Sequence, residues 1–108
     1  MNDPAIIDLR IPHGDTLTQT FRLLEAGTPV DLTGAAVAAE LRHPRTEEII
    51  PLQVIVGPDP GEFTLYWGDT TPAHGHYRWD AEVESGGVVR TWITGRFHVA
   101  RDVTHSLV

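Results

Sequence analysis

Two histidines form the closest pair of possible metal ligands in the sequence. His74 and His76 are separated by Gly75, and in a strand this H-x-H spacing places both imidazoles on one face. Zinc or copper could bind there with Asp69 or His98 as a third ligand. No third ligand lies at a diagnostic spacing. We therefore expect a polar loop entering a strand at Gly75, and no metal site.

An acidic series is the second group with chemical potential. Asp80, Glu82 and Glu84 alternate along one stretch, and carboxylates two residues apart on a strand lie about 6 to 7 Å apart, near the separation that glycosidases use. The alternative is a solvated strand face balanced by Arg90 and Arg96 on the following strand. Cross-strand pairs of opposite charge commonly stabilise such a face. We expect this pairing and no catalysis.

Hydroxyl and aromatic candidates also have structural explanations. Residues 15–18 and 70–71 include threonines that could act as nucleophiles, but turn and strand propensity explain them. Trp67, with its neighbours at 68–69, could stack on a sugar ring or could be a core aromatic beside a turn. Phosphate-loop, metalloprotease and esterase motifs are missing from the sequence, as is cysteine. We predict a protein that is not an enzyme and that has no catalytic residues and no cofactor.

Charge narrows the classes of partner. The 108 residues include 15 acidic and 8 basic side chains, a formal charge of -7, and every basic side chain is arginine. Nucleic-acid-binding domains usually carry the opposite charge, and an anionic membrane is usually held by a polybasic segment. The sequence has no apolar run near ~20 residues and no signal-peptide pattern. We expect a soluble, unexported chain with no nucleic-acid or membrane partner.

The elements that must position these side chains are short strands, because the dominant hydrophobic period is two and turn residues interrupt it repeatedly. We predict strands over 5–11, 16–24, 36–42, 49–56, 62–67, 76–84 and 88–99. The alanine-rich stretch 36–42 could form two helical turns, but its length and the flanking Gly34 and Pro44 favour a strand.

These strands predict an all-β fold, an immunoglobulin-like antiparallel β-sandwich of seven to eight strands. We expect a single domain over residues 1–108, with short flexible ends at about 1–4 and 104–108. An eight-stranded barrel is the alternative, but the inward aromatic side chains would overfill its interior. Gly95 predicts a bulge or a close backbone contact. The predicted core aromatics are Phe21, Phe63, Trp67, Tyr77, Trp79 and Phe97.

The last strand carries the predicted interaction surface. If Thr91 faces the core with the apolar residues of this strand, Trp92 points away beside Arg90 and Arg96, and the same parity places Tyr66 outside. Tryptophan, tyrosine and arginine are enriched at interface hot spots, so we predict that these four residues form an interface. A bulge near Thr91 would instead turn Trp92 inward.

The motifs resemble, in order, a known family of phage domains. Three stretches carry the resemblance: LTQTFRLLEAGTPVDLTGAAVAAELR, GEFTLYW and GHYRWDAEVESGGVVRTWITGRFHV. They are similar to the N-terminal domain of bacteriophage baseplate upper proteins and to related tail-associated immunoglobulin-like domains, over about residues 15–103. The resemblance implies turn roles for Asp31, Thr33 and Gly34, core roles for Tyr77, Phe97 and Val99, and a tyrosine-corner hydrogen bond from Tyr77.

The resemblance also implies a function, which is that of a structural, non-catalytic part of a phage particle. Baseplate members continue into a stalk or receptor-binding region, whereas this sequence ends at Val108. We therefore expect a small tail, baseplate or head accessory protein. Its expected partners are other virion proteins and sister copies in a symmetric homo-oligomer, within a virion assembled in the bacterial cytoplasm. A carbohydrate-binding or adhesion module is the alternative.

Overall fold

The computed structural model describes residues 3–67 and 72–101, and every regular element in these ranges is a strand. The stretch 36–42 is a strand as predicted, and the predicted bounds after residue 30 differ by at most one residue. No helix in the described ranges has the length and apolarity to cross a membrane. The strands are β1 Ala5–Ile6, β2 Leu9–Pro12, β3 Leu17–Arg22, β4 Leu24–Glu25, β5 Thr28–Pro29, β6 Ala36–Arg42, β7 Ile49–Val56, β8 Glu62–Trp67, β9 Gly75–Ser85 and β10 Val88–Ala100.

The main sheet folds over itself into two layers. Its strand order is β1-β10-β9-β6-β7-β8-β3, and β2 also pairs with β10. The change of layer occurs within β7, whose residues 49–52 pair with β6 and whose residues 53–56 pair with β8. A strand that passes between sheets makes the corner of a sandwich. The first layer is therefore β2, β1, β10, β9 and β6, the second is β8 and β3, and the predicted all-β sandwich is confirmed.

The core lies between the layers and uses the faces that the alternation predicts. Phe21 of β3 lies 5.6 Å from Trp79 of β9, and Trp67 of β8 lies 5.5 Å from Phe97 of β10, measured between ring centroids. Phe63 and Trp79 are buried as predicted. In the described sheet, β3 and the strands beside β10 lie at opposite ends of the order, so the sheet is not the alternative closed barrel. Other fully buried side chains are Leu41, Leu65 and Val99.

The N-terminal region departs from the predicted antiparallel pattern. The predicted strand 5–11 is divided into β1 and β2, and both run parallel to β10. Between them Ile7 and Asp8 cross the core side of Gly95, where a Cβ would overlap the Ile7 carbonyl oxygen. The indole nitrogen of Trp79 donates to that same oxygen at 2.8 Å. Gly95 is thus a close backbone contact, one of the two possibilities that the sequence indicated.

A bulge in β10 changes the parity of Trp92. Thr91 lies opposite Glu82, whereas Ile93 lies opposite Ala81, so Trp92 is an extra residue between two paired ones. Trp92 is half-buried and packs against the core cluster. The prediction that Thr91 faces the core while Trp92 points away is therefore wrong, because a one-residue bulge reverses the facing of the residues before it.

Two motifs of the resemblance have the expected local structure. The Tyr77 hydroxyl donates to the Ala73 carbonyl oxygen at 2.7 Å, which is a tyrosine corner. The Asp31 carboxylate accepts the backbone N–H of Thr33 at 2.9 Å, and hydrogen bonds from Thr33 lower the pKa of Asp31. Gly34 follows with a φ of +75°, a backbone conformation that favours glycine. The tyrosine corner and the turn at Asp31 are structural features of the fold. Evidence about function must come from the exposed side chains.

Candidate interaction surface

The charged side chains of the first layer are aligned across its outer face, the side away from the core. Outward residues alternate with core residues along each strand, and the register places those of neighbouring strands side by side. A row is the set of outward residues that lie opposite one another on neighbouring strands. Two adjacent rows are basic, and the next rows along β9 are acidic. We call this surface the outer face, and its charged residues are Arg10, Glu40, Arg42, His76, Arg78, Asp80, Glu82, Glu84, Arg96 and His98.

Three arginines form the central basic row. Arg78 on β9 lies directly opposite Arg96 on β10 and Arg42 on β6. Cβ atoms of directly opposed residues are about 4.5 to 5.5 Å apart, so three cationic side chains leave the sheet within roughly 10 Å. Arg42 lies 3.5 Å from a carboxylate oxygen of Glu40, while Arg78 and Arg96 have no ion-pair partner among the described residues. Like charges directly opposite destabilise a sheet, so folding alone does not account for this row.

A second basic row contains two stacked histidines. His98 on β10 lies between Arg10 on β2 and His76 on β9. The two imidazole centroids are 4.0 Å apart, with an interplanar angle of 9°. Burial, with smaller contributions from the charges of His76 and Arg10, lowers the pKa of His98. The shift favours a neutral imidazole on His98, which permits the stack beside Arg10.

The two histidines of the H-x-H pair contact different partners. His76 stacks on His98, whereas His74 makes an edge contact with His13 at 6.4 Å between centroids. The described residues include no group of three histidine or carboxylate side chains suited to holding a metal ion. The other proposed third ligand, Asp69, lies outside the described residues.

The acidic rows begin one step along the strands from the arginines. Asp80 on β9 lies directly opposite Glu40 on β6, and Glu82 continues the series. Burial, followed by the negative charges of Glu40 and Glu82, raises the pKa of Asp80, and the charge of Arg42 opposes this rise. This half of the outer face is therefore also a cluster of like charges.

The expected pairing of the acidic series with Arg90 and Arg96 is wrong. Arg96 lies opposite Arg78, and Arg90 lies opposite the buried Val83. The β10 bulge and the β9–β10 turn fix a register in which the acids of β9 lie opposite neutral residues of β10. These pairs are Asp80 with Thr94, Glu82 with Thr91 and Glu84 with Val89.

Arg90 and Trp92 form a separate cluster beside the core. The Arg90 guanidinium carbon lies 3.7 Å from the centroid of the Trp92 ring, a cation–π contact. The same guanidinium donates to the carboxylate of Glu25 on β4 at 3.0 Å. One face of the Trp92 ring is thus covered by an ion-paired arginine, which gives both residues a structural role within the domain.

The four predicted interface residues are not brought together. Arg96 lies in the arginine row of the outer face, whereas Trp92 packs against the core and Arg90 lies over the Trp92 ring. Tyr66 is half-buried on the second layer, between Thr18 and Gln53. Only Arg96 among them belongs to the outer face.

The aromatic and hydroxyl candidates do not form a site in the described residues. Trp67 is 6% exposed, and its indole nitrogen donates to the Asp15 carbonyl oxygen at 2.8 Å. Its ring faces Phe97 and is not free to stack on a sugar. Thr18 lies on the edge strand opposite Tyr66, and residues 68–71 lie outside the described residues.

Sequence reasoning missed Arg10, Arg42, Arg78 and the histidine stack. The signal that was available is parity, because Arg42 and Arg78 occupy outward positions of strands with clear alternation. Alternation along a strand predicts the face of the sheet on which a side chain lies, but it does not predict which residue of the next strand lies beside it. The rows appear only when the register between β6, β9 and β10 is known.

Comparison with known proteins supports the fold and leaves the function open. No protein-family model matches the sequence, and no curated protein matches it. A crystal structure of InlP from Listeria monocytogenes is similar in fold, with a TM-score of 0.50 and 17% sequence identity. The similarity covers 91% of this chain and 26% of that chain, so this chain spans about a quarter of InlP. At this identity the likeness concerns the fold alone.

Proposed function

We propose that this chain is a structural component of a bacteriophage or phage-like particle, a tail, baseplate or head accessory protein that acts through protein–protein contacts. The row of Arg42, Arg78 and Arg96 carries the contact role. Opposed arginines cost stability in an isolated sheet, and a partner surface that supplies carboxylates offsets this cost. The particle context is supported by the motif resemblance, which extends along most of the chain.

The placement of the chemical groups favours contact over catalysis. The outward charged residues lie together on one face of a layer, where a complementary surface can approach. Paired carboxylates such as Asp80 and Glu82 occupy neighbouring positions on the same open strand face. We therefore propose that the charges select a partner and have no catalytic role.

The carbohydrate-binding alternative requires an accessible aromatic ring. Trp67 and Trp79 are buried, and Trp92 is covered by Arg90. Tyr66 is the remaining candidate, and it is half-buried among neutral side chains of the second layer. These positions make a sugar-stacking platform the weaker proposal.

The test is the protein composition of particles purified from a producing strain. We expect the chain to co-purify with the particles in a fixed ratio, measured by quantitative mass spectrometry. Replacing either Arg78 or Arg96 with glutamate should reduce incorporation, whereas Arg45→Glu, which makes the same charge change in the β6–β7 turn, should leave it unchanged. Absence of the wild-type chain from particles would refute the proposal, and selective binding to a glycan array would then support the alternative.

A further inference from the structure

We infer that the outer face binds the outer face of a second copy of this chain about a two-fold axis. The inference deepens the proposed contact role and rests on it. It assigns Arg42 and Arg78 of the arginine row to the acidic rows of an identical molecule, whereas Arg96 lies opposite the neutral Thr94 of that molecule.

The pattern of charges is self-complementary. Along β9 the outward residues are His76, Arg78, Asp80, Glu82 and Glu84, so a basic half is followed by an acidic half. The two-fold axis lies in the interface plane, perpendicular to β9 and level with the boundary between these halves. It superposes the row of Arg78 on the row of Asp80, and the row of His76 on the row of Glu82. Such an isologous contact repeats every pair twice.

The axis produces three kinds of cross-copy pair. Arg78 faces Asp80 of the second copy, and Arg42 faces its Glu40. His76 faces Glu82 in the same way. Rows are about 6 to 7 Å apart along the strands, so one placement of the axis satisfies all three pairs at once.

The area of the face sets the strength of the dimer. Its rows cross β2, β10, β9 and β6 and reach the start of β7, a width of roughly 19 Å at the usual strand spacing. The axis superposes four of the rows, from His76 to Glu82, over roughly 20 Å. The face therefore contributes about 400 Å² per copy, or about 800 Å² in total, which is the size of a weak and reversible interface.

The charge pattern favours a second copy over a polyanion. Nucleic acid or a sulfated polysaccharide would be attracted by the arginine row, but the acidic rows begin about 6 to 7 Å away, within the Debye length of roughly 8 Å at physiological salt. The formal charge of the whole chain is -7, which adds to this repulsion. A second copy carries the same formal charge, but its matching rows bring opposite charges into contact, which a uniformly negative polymer cannot do.

A charge-swap experiment on the purified full chain tests the dimer. Sedimentation velocity should detect a dimer of the wild-type protein that weakens as NaCl is raised from about 50 to about 500 mM, because salt screens the pairs. In R78E the new carboxylate faces Asp80 of the other copy twice, and in D80R two arginines face each other twice. With about tenfold lost per like-charge contact, each variant alone should have a dissociation constant at least about a hundredfold higher.

Mixing the two variants gives the decisive result. In an R78E–D80R heterodimer both contacts join opposite charges, so association should return when the variants are combined and also in the double variant R78E/D80R. Arg45→Glu is the matched control and should dimerise like the wild type. Thermal unfolding followed by circular dichroism checks that each variant is folded. Arg78→Glu places opposite charges beside Arg42 and Arg96, so it is expected to fold at least as stably as the parent.

The outcomes separate this inference from the proposed function. A wild-type chain that remains monomeric at low salt, or a mixture that fails to restore association, overturns the dimer even if the chain is found in particles. A monomer that binds heparin through Arg78 identifies a polyanion surface instead. Restored association in the mixture supports the dimer even if particles lack the chain.

Discussion

Gly95→Ala is expected to displace the N-terminal segment of the domain. A Cβ at this position would overlap the carbonyl oxygen of Ile7 and lie 2.7 Å from its carbonyl carbon. Both are backbone atoms, which cannot rotate away as a side chain can. Gly95 is not among the glycines of positive φ, so alanine itself fits the local backbone. The cost of the substitution therefore arises from the contact with Ile7 and Asp8.

The magnitude follows from the hydrogen bonds that such a movement breaks. The Ile7 N–H donates to the Thr94 carbonyl at 2.9 Å, and the Arg96 N–H donates to the Asp8 carboxylate at 2.9 Å. The first bond contributes about 1 kcal/mol to the unfolding free energy, and the second, to a charged group, contributes about 1.5 to 3 kcal/mol. Trp79 is 1% exposed, and loss of its bond to Ile7 leaves a buried donor unpaired, which costs about 1 to 3 kcal/mol. Partial relaxation leaves an expected loss of about 3 to 6 kcal/mol, much of the stability of a small domain.

Urea unfolding followed by tryptophan fluorescence measures this loss, and a double-mutant cycle assigns its cause. The second change is deletion of residues 1–8, which removes the segment that the Cβ would meet. In the shortened chain Gly95→Ala should cost less than about 1 kcal/mol, because the two changes share one interaction. A cost below about 1 kcal/mol in the full chain, or an undiminished cost in the shortened chain, would refute the reasoning.

Three further changes have expected outcomes that unfolding experiments check. Tyr77→Phe removes the tyrosine-corner bond and should lower the unfolding free energy in urea by about 1 kcal/mol; an unchanged value contradicts a stabilising corner. Asp80→Asn should raise the melting temperature of the monomer, measured at neutral pH in dilute protein, because burial and neighbouring carboxylates raise the pKa of Asp80 and so penalise its charged form. The gain should shrink as pH falls through that raised pKa, and a constant gain would contradict this cause. The pKa of His98 is lowered in the folded chain, so the unfolded chain binds the proton more tightly. The unfolding free energy should therefore fall as pH decreases from about 6.5 through the folded pKa. His98→Gln should reduce this pH dependence, and an identical pH profile would exclude His98 as its source.

Strand positions and most of the core could be predicted from the sequence because they depend on local alternation. The strands at 36–42, 49–56 and 62–67 have the predicted bounds, and Phe63 and Trp79 are buried as their parity indicates. A strand exposes alternate side chains to opposite faces whatever its neighbours are. For the same reason the outward position of Arg78 follows from the sequence.

The bulge at Trp92 and the crossing of Ile7 over Gly95 required the tertiary structure. A bulge inserts one residue without a distinctive sequence signal, and it reverses parity on one side of itself. The need for glycine at position 95 comes from a segment almost ninety residues earlier in the chain. Local propensity contains no information about such a contact.

The charge pattern of the outer face could not be predicted from the sequence, although the facing of its residues could. Its members come from β2, β6, β9 and β10, and the sequence alone favoured pairing of Arg96 with an acid of β9. The register placed Arg96 opposite Arg78 instead. Side-chain facing is a property of one strand, whereas neighbours across a sheet depend on the alignment of distant strands, which core packing and turn geometry fix together. Except beside the bulge at Trp92, the sequence thus determined which residues of these strands face outward. The tertiary structure decided which charges lie side by side.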